Sequence, residues 1–394
     1  MQAPQRKSLV TLQIFFCLLM GCKAAPQNKS EHRPKPMPPV GTLIPARDMT
    51  MARGGESATS LPDFKVLIAG GGQQHGIVLA TTEIYDPTTE TFSPAAKMTV
   101  SREGHVAAVL SDSNILVAGG ATRGGVALAS SEVYDYEQGR FIRRGNMHAA
   151  RIRPGVTVLR DGGVLVTGGQ DGHQALDSAE VYNVLDGKWT LMGKMTAARA
   201  NHTATLLNDG RVLVVGGDSH DTPLASAEIF DPSTKHFTAT GSLHQARFGH
   251  TAALMADGRV LIAGGANGDG PLSSAEIFDP STNEFTVTGN LNDARSKLPA
   301  AATLLDGRIL IIGGASSAEL YEHRTSGFRR VSGDLDTARF YPSMIQLMDG
   351  SVRIFGGYDA AGVSTAKTWT YRVEGTPPPS TVAVRRSPNS VPAR

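Results

Sequence analysis

A pair of adjacent glycines returns seven times along this chain, at Gly70-Gly71, Gly119-Gly120, Gly168-Gly169, Gly216-Gly217, Gly264-Gly265, Gly313-Gly314 and Gly356-Gly357. Successive pairs stand 49, 49, 48, 48, 49 and 43 residues apart. A fixed period of this length marks a repeat architecture, in which one supersecondary unit is stacked on copies of itself. A β-rich apolar run precedes each pair, from Val66-Leu-Ile-Ala in the first unit to Val352-Arg-Ile-Phe in the last. A Glu-x-aromatic motif follows in six units, at Glu83, Glu132, Glu180, Glu228, Glu276 and Glu319, and the seventh reads as the degenerate Lys367-Thr-Trp-Thr. Six units carry a further aromatic, at Phe92, Phe141, Trp189, Phe237, Phe285 and Phe328. An arginine opens every unit: Arg53, Arg102, Arg151, Arg199, Arg247, Arg295 and Arg339.

These features predict four short antiparallel strands per unit and an all-β fold. The first strand is a small-residue run such as His202-Thr-Ala-Thr-Leu-Leu. Asn208-Asp-Gly-Arg, Asp257-Gly-Arg and Asp306-Gly-Arg then supply glycine where a tight hairpin needs positive φ. The β-branched run is the second strand, apolar at successive positions and so buried on both faces. The glycine pair ends it, the Glu-x-aromatic motif marks the third strand, and the later aromatic marks the fourth. Forty-four glycines and an aromatic content of 6% rule out a long-helix protein and a polytopic membrane protein.

This set of motifs resembles the kelch repeat, whose period is roughly 50 residues. The resemblance spans residues 40–373 and implies a β-propeller, each four-stranded sheet forming one blade around a central channel. The last unit supplies three strands before a proline-rich tail, while residues 40–49 stand before Arg53 where a fourth strand stands before Arg102. Leu43 there takes the place of the aromatic. The expected fold is thus a seven-bladed kelch-type β-propeller over 40–374, its ring closed by that N-terminal strand with no free sheet edge.

The two ends read differently. Arg6 and Lys7 precede an apolar run from Leu9 to Met20, too short for a spanning helix and typical of an export signal. It closes on Leu19-Met20-Gly21-Cys22, which resembles the bacterial lipoprotein box. That resemblance implies a signal peptide over 1–21 and lipidation of Cys22 as the mature N-terminus; an ordinary signal peptide cleaved near Ala24-Ala25 is the alternative. Cys17 and Cys22 are the only cysteines, so the exported body has no disulfide and no thiolate metal site. Residues 22–39 read as a proline-rich tether and 375–394 as a disordered tail. Of the formal net charge of +2, residues 1–39 hold +5 and the tail +3, which leaves the body at −6. A mildly acidic body has no electrostatic footprint for nucleic acid.

Recurrence separates structure from function. The arginines and glutamates return in nearly every unit, so they answer a need of the unit; Lys367 in the glutamate's place leaves Arg339 without that partner. An anion-binding ring of arginines is the competing reading. The three residues after each arginine vary. In kelch propellers these strand starts line one mouth of the channel, so the resemblance implies Glu103, Arg153, Asn201, Lys297, Phe340 and Tyr341 as ligand-binding candidates. His75, Arg123, His173, His220 and Asp269 are weaker candidates on loops. His105, His202 and His250 share one position in three units and are expected to cap their own unit's backbone rather than hold a metal, since zinc needs its ligands within about 2 Å.

No catalytic residue, metal or cofactor is expected. The cysteine that radical-copper oxidases resembling galactose oxidase cross-link to tyrosine is missing from the body. No sialidase Asp-box, Gly-x-Ser-x-Gly elbow, His-Glu-x-x-His motif or phosphate loop occurs. The reading is a monomeric, lipid-anchored module of the bacterial cell envelope that binds a glycan or a protein or peptide partner. A soluble secreted or periplasmic form is the alternative location. The alternative activity is that of a carbohydrate-active enzyme, a sugar epimerase, mutarotase or lyase, for which Glu103 and Arg153 supply an acid/base pair. Because one acyl chain alone gives marginal membrane binding, a triacylated Cys22 predicts stable anchoring. Cys22→Ser should move the protein into the soluble fraction on cell fractionation, and unchanged membrane partition would refute lipidation.

Overall fold

The computed structural model describes residues 40–373. The expected signal segment, Cys22, the tether and the tail lie outside the described residues. Each of the first five units forms one four-stranded antiparallel sheet. In the fourth, Thr203–Leu206, Val212–Val215, Ala227–Asp231 and His236–Ala239 pair in that order. Gly210, at φ +93°, makes the tight turn between the first two strands. The second strand of every unit is wholly buried, as its apolar run predicts. Both its faces are covered because the sheets stack on one another. Leu213 and Ile229 of the fourth unit, for example, share a core with Val260, Ile262 and Phe278 of the fifth. In six units the two aromatics face each other across the third and fourth strands, as in Phe230 and Phe237 with ring centroids 4.9 Å apart.

The sixth and seventh units share one eight-stranded sheet, and Thr42–Ala46 runs through its middle. This segment pairs antiparallel with Thr368–Arg372 from Thr42↔Arg372 to Ala46↔Thr368, and meets Gly327–Asp334 at one parallel pair, Thr42↔Ser332. Leu43 lies opposite Tyr371, as Phe92 lies opposite Tyr85 in the first unit, and is 2% exposed. The register also corrects the reading of the seventh unit. Ile354 faces Trp369 where Ile68 faces Glu83, so Trp369, not Lys367, takes the glutamate's place. Thirteen residues separate Gly70 from Glu83 and Gly356 from Trp369 alike.

Successive units are joined by one recurring backbone bond. Gly71 N donates to Arg102 O at 2.9 Å, and the same bond recurs from Gly120, Gly169, Gly217, Gly265 and Gly314 to the arginine of the following unit. Gly357 of the seventh unit donates to Arg53 of the first. The first glycine of the pair permits this approach: Gly70 has φ +65°, and a Cβ there would stand 2.4 Å from Arg102 O. The first strands touch in the same circuit, from Ser57–Ser60 through Val106–Val109, Gly155–Val158, Thr203–Leu206, Thr251–Leu254 and Ala300–Thr303 to Ser343–Gln346 and back.

Arg353, buried where the other units carry Leu, holds this junction from a third side. It donates to Thr370 Oγ1 and Arg47 O and lies 4.6 Å over the Tyr85 ring. Deleting residues 40–52 would strip the Leu43 packing and bare the edge of Thr368–Arg372. Losing one such core side chain costs roughly 2–5 kcal/mol, so the shortened chain should melt about 3–7 °C lower and self-associate. Equal melting temperatures for the two chains would refute this account of the junction.

Candidate functional site

The opening arginines are not available to a ligand. Six of them are 0% exposed. Each places Nη1 on the carbonyl of its own unit's first glycine and Nη2 on the glutamate, as in Arg199 to Gly216 O (2.6 Å) and Glu228 Oε1 (2.9 Å). The other glutamate oxygen accepts a backbone N–H from the segment leading into the arginine, such as Thr196 N on Glu228. Buried and committed to these partners through both terminal nitrogens, the arginines do not form an anion-binding ring. In the seventh unit Asp336 replaces the missing carboxylate, pairing with Arg339 at 2.7 Å and Lys367 at 2.9 Å, while Arg339 sits 6.0 Å from the Trp369 ring.

The residues after these arginines build a ring at the end of the first strands. The second residue after each arginine has left-handed backbone: Gly55, Gly104, Arg153, Asn201, Gly249, Lys297 and Tyr341, with φ between +49° and +66°. Backbone bonds link these positions from unit to unit. Gly55 N donates to Tyr341 O, Gly104 N to Gly55 O, Arg153 N to Gly104 O and Gly249 N to Asn201 O. Leu298 N donates to Gly249 O and Tyr341 N to Lys297 O. Among the described residues no such bond joins Asn201 to Arg153. Glycine adopts this backbone freely, whereas a side chain there costs on the order of 1–2 kcal/mol. Arg153, Lys297 and Tyr341 carry that cost, and Asn201 less of it, because asparagine tolerates this region.

A cavity of about 320 Å³ opens beside the ring, and Glu103, Arg153, Asn201 and Tyr341 line it. The Arg153 guanidinium stacks 4.4 Å over the Tyr341 ring. Asn201 donates to Asp218 Oδ1 at 2.7 Å, and burial raises the Asp218 carboxyl above its usual range. Lys297 and Phe340 fall outside the cavity wall and pair with each other, the ammonium 4.6 Å over the ring. His75, Arg123, His173, His220 and Asp269 are exposed and stand apart from the cavity.

Two lining residues escaped the sequence reading. Tyr358 donates its hydroxyl to Glu103 Oε2 at 2.8 Å and meets Tyr341 edge-on at 6.5 Å. Burial, then the Glu103 charge, raise that hydroxyl well above the usual phenol range, so it stays a donor. Its signal was legible: it follows a glycine pair where the other units have Gly, Ala, Gln or Asp. Glu56, 8% exposed, is the second. Its Oε1 accepts from Ser343 Oγ at 3.0 Å, while Oε2 is buried without a partner among the described residues. Burial pushes its carboxyl up to about 7.

Glu56 stands where three other units have histidine, and those histidines do not cap their own unit's backbone. His105 and His250 reach back to Ser57 Oγ (2.9 Å) and Thr203 Oγ1 (3.0 Å) on the preceding unit's first strand. His202, facing Gly155 there, takes Thr167 Oγ1 at 2.8 Å instead. Burial, then the neighbouring arginine charge, hold His105 and His250 down to about 3, so both are neutral near pH 7. Among the described residues no three of His, Cys, Asp and Glu are placed to hold a metal ion.

A family model described as the Kelch motif matches residues 153–196, 198–243 and 247–292, the three central units. Among solved structures, the chain is similar to a fungal alcohol oxidase of the AA5 family, solved in complex with copper. The two share 17% identity at a TM-score of 0.69, over 85% of this chain and 76% of that one. With 1235 solved chains matching, the likeness shows the β-propeller fold and no chemistry. No curated protein matches the sequence.

The raised Glu56 carboxyl carries a stability signature. The folded chain holds that proton more tightly than the unfolded chain, whose carboxyl has the ordinary value of 4.5. The contribution is therefore full below 4.5 and is lost as pH rises through about 7. Between pH 5.5 and 8.5 the wild type should lose about 2 kcal/mol relative to Glu56→Gln, read by urea unfolding. Parallel pH profiles for the two proteins would refute the shift.

Proposed function

We propose that this kelch-repeat protein is a seven-bladed propeller, closed by the strand Thr42–Ala46, whose channel mouth binds a small polar ligand. One observation carries the reading. At one ring position three units use glycine, and four hold Arg153, Asn201, Lys297 and Tyr341 in the same left-handed backbone. Backbone strain kept where a neighbouring unit shows the unstrained solution points to a role outside folding. The chemistry on offer is a guanidinium on an aromatic face, an amide, a carboxylate and a phenol. Such a set suits a glycan or a short peptide bearing an acidic group more than an apolar chain. Residues 1–22 support export and a lipid anchor, which would set this mouth in the bacterial cell envelope.

A second reading, a carbohydrate-active enzyme, gains from Glu56. A carboxyl poised near neutrality beside Glu103 and Tyr358 has the acidity of a general acid or base. Conversion of a bound sugar would separate this reading from simple binding.

The test is a calorimetric screen of the full chain against glycans and peptidoglycan fragments, repeated with Arg153→Gly and Tyr341→Gly. Both variants install the residue that other units use, so they should melt no lower than the wild type. Affinity should fall about tenfold or more, the scale of a binding hot spot. Lower melting with undiminished binding would assign these residues to folding and refute the reading.

A further inference from the structure

The duplication of Glu56 by histidine in other units shows what its structural task requires. His105 and His250 fulfil it with one ring nitrogen on the hydroxyl of the preceding unit. Glu56 meets the same demand with Oε1 on Ser343. Its second oxygen is surplus to the fold: buried, unpartnered and part of a residue that lines the mouth cavity. The histidines at this position also leave Nδ1 buried without a partner, but they are neutral. The repeat therefore had a solved answer at this position, and the first unit departs from it only by adding a titratable oxygen.

We propose that the mouth cavity takes up a hydroxylated organic monoanion together with one proton, the proton residing on Glu56. The inference rests on the ligand-binding reading of the mouth and adds the ligand's chemical class and its coupling to protons. Arg153, stacked on Tyr341, is the cation that meets the ligand's carboxylate. Tyr358, Glu103 and the Asn201–Asp218 pair meet its hydroxyls. The charge balance is closed: one anion and one proton enter, and the cavity's net charge is unchanged.

Glu56 is the group that takes the proton because of what surrounds it. From its own unit Arg53 acts on it, and from the seventh unit Ser343 and Tyr358. The next unit contributes the neutral His105, through Ser57, and Glu103, through Tyr358. Tyr358 keeps its proton, and Glu103 already accepts one hydrogen bond. An ionised Glu56 would set a second carboxylate against an arriving anion, and the ligand would displace the water that screens it. Both effects favour the acid form, and the carboxyl, near 7 without ligand, is poised to change state.

The experiment uses the full chain and sodium glucuronate, which stays ionised throughout, with calorimetry at pH 5.5 and 8.5. Wild type should bind about thirtyfold more tightly at pH 5.5, the ratio of its protonated fractions. Glu56→Gln and Glu56→His, both uncharged, should bind with nearly equal affinity at the two pH values. The histidine variant guards against misfolding, since other units fold with that residue. A pH slope that survives in both variants, or a flat wild type, would overturn the assignment to Glu56 while leaving the mouth as the binding site. Binding undiminished in Arg153→Gly would instead remove the mouth itself. No glucuronate binding at either pH would overturn the ligand class.

Discussion

In the first six units the guanidinium of the opening arginine lies between the carbonyl that ends the unit's central strand and the carboxylate that begins the next strand. The same residue's own carbonyl accepts the N–H of the previous unit's second glycine. One residue thus fastens three strands within a unit and that unit to its neighbour. Buried ion pairs are a poor source of net stability, because desolvation offsets the attraction, but removing one partner costs about 3–5 kcal/mol. Their value here is geometric. A charge that can be satisfied in one place only fixes where the third strand must sit relative to the first.

That constraint explains where freedom remains. Arginine side chains turn into their sheets, and glycine pairs keep the junctions tight, so the second residue after each arginine stands free of both at the end of the first strands. The backbone of that residue is still fixed, left-handed in all seven units and, except between Arg153 and Asn201, tied by backbone bonds to the neighbouring unit. Side chains at these positions can change without disturbing a core. Arg153 and Tyr341 are held there by each other, guanidinium on ring. One residue further into the strand, Glu56 Oε2 is buried without a hydrogen-bond partner among the described residues, as are Nδ1 of His105 and His202 in the same wall. Left-handed non-glycine backbone also occurs at turns such as Glu90 and Lys235; at Arg153, Asn201 and Tyr341 it coincides with a cavity wall, where local rules broken are the expected mark of a functional site.

The seventh unit shows the limits of motif matching. Lys367 looked like the glutamate's replacement because Lys-x-Trp resembles Glu-x-aromatic. The sheet register instead places Trp369 there, and the carboxylate comes from Asp336, three residues before Arg339. The charge had to be met, and a neighbouring loop met it. Similarly, the histidines were legible as a recurring position, but their partners lie across the unit boundary, at Ser57 and Thr203. Sequence neighbours could not reveal that.

The repeat count, the strand order within a unit, the buried second strands and the turn glycines were all readable from the chain, because each depends on local periodicity and on the backbone angles a residue permits. So was the set of varying positions from which Arg153, Asn201 and Tyr341 emerged as cavity-lining residues. What tertiary structure alone decided was which of these meet. Tyr358 and Glu103 are 255 residues apart, and Ser343 and Glu56 are 287 apart. Only the apposition of the last unit with the first brings them to one wall, and only burial there lifts the Glu56 carboxyl. Acidity depends on the solvent a group loses, and the chain's order does not record which groups will lose it.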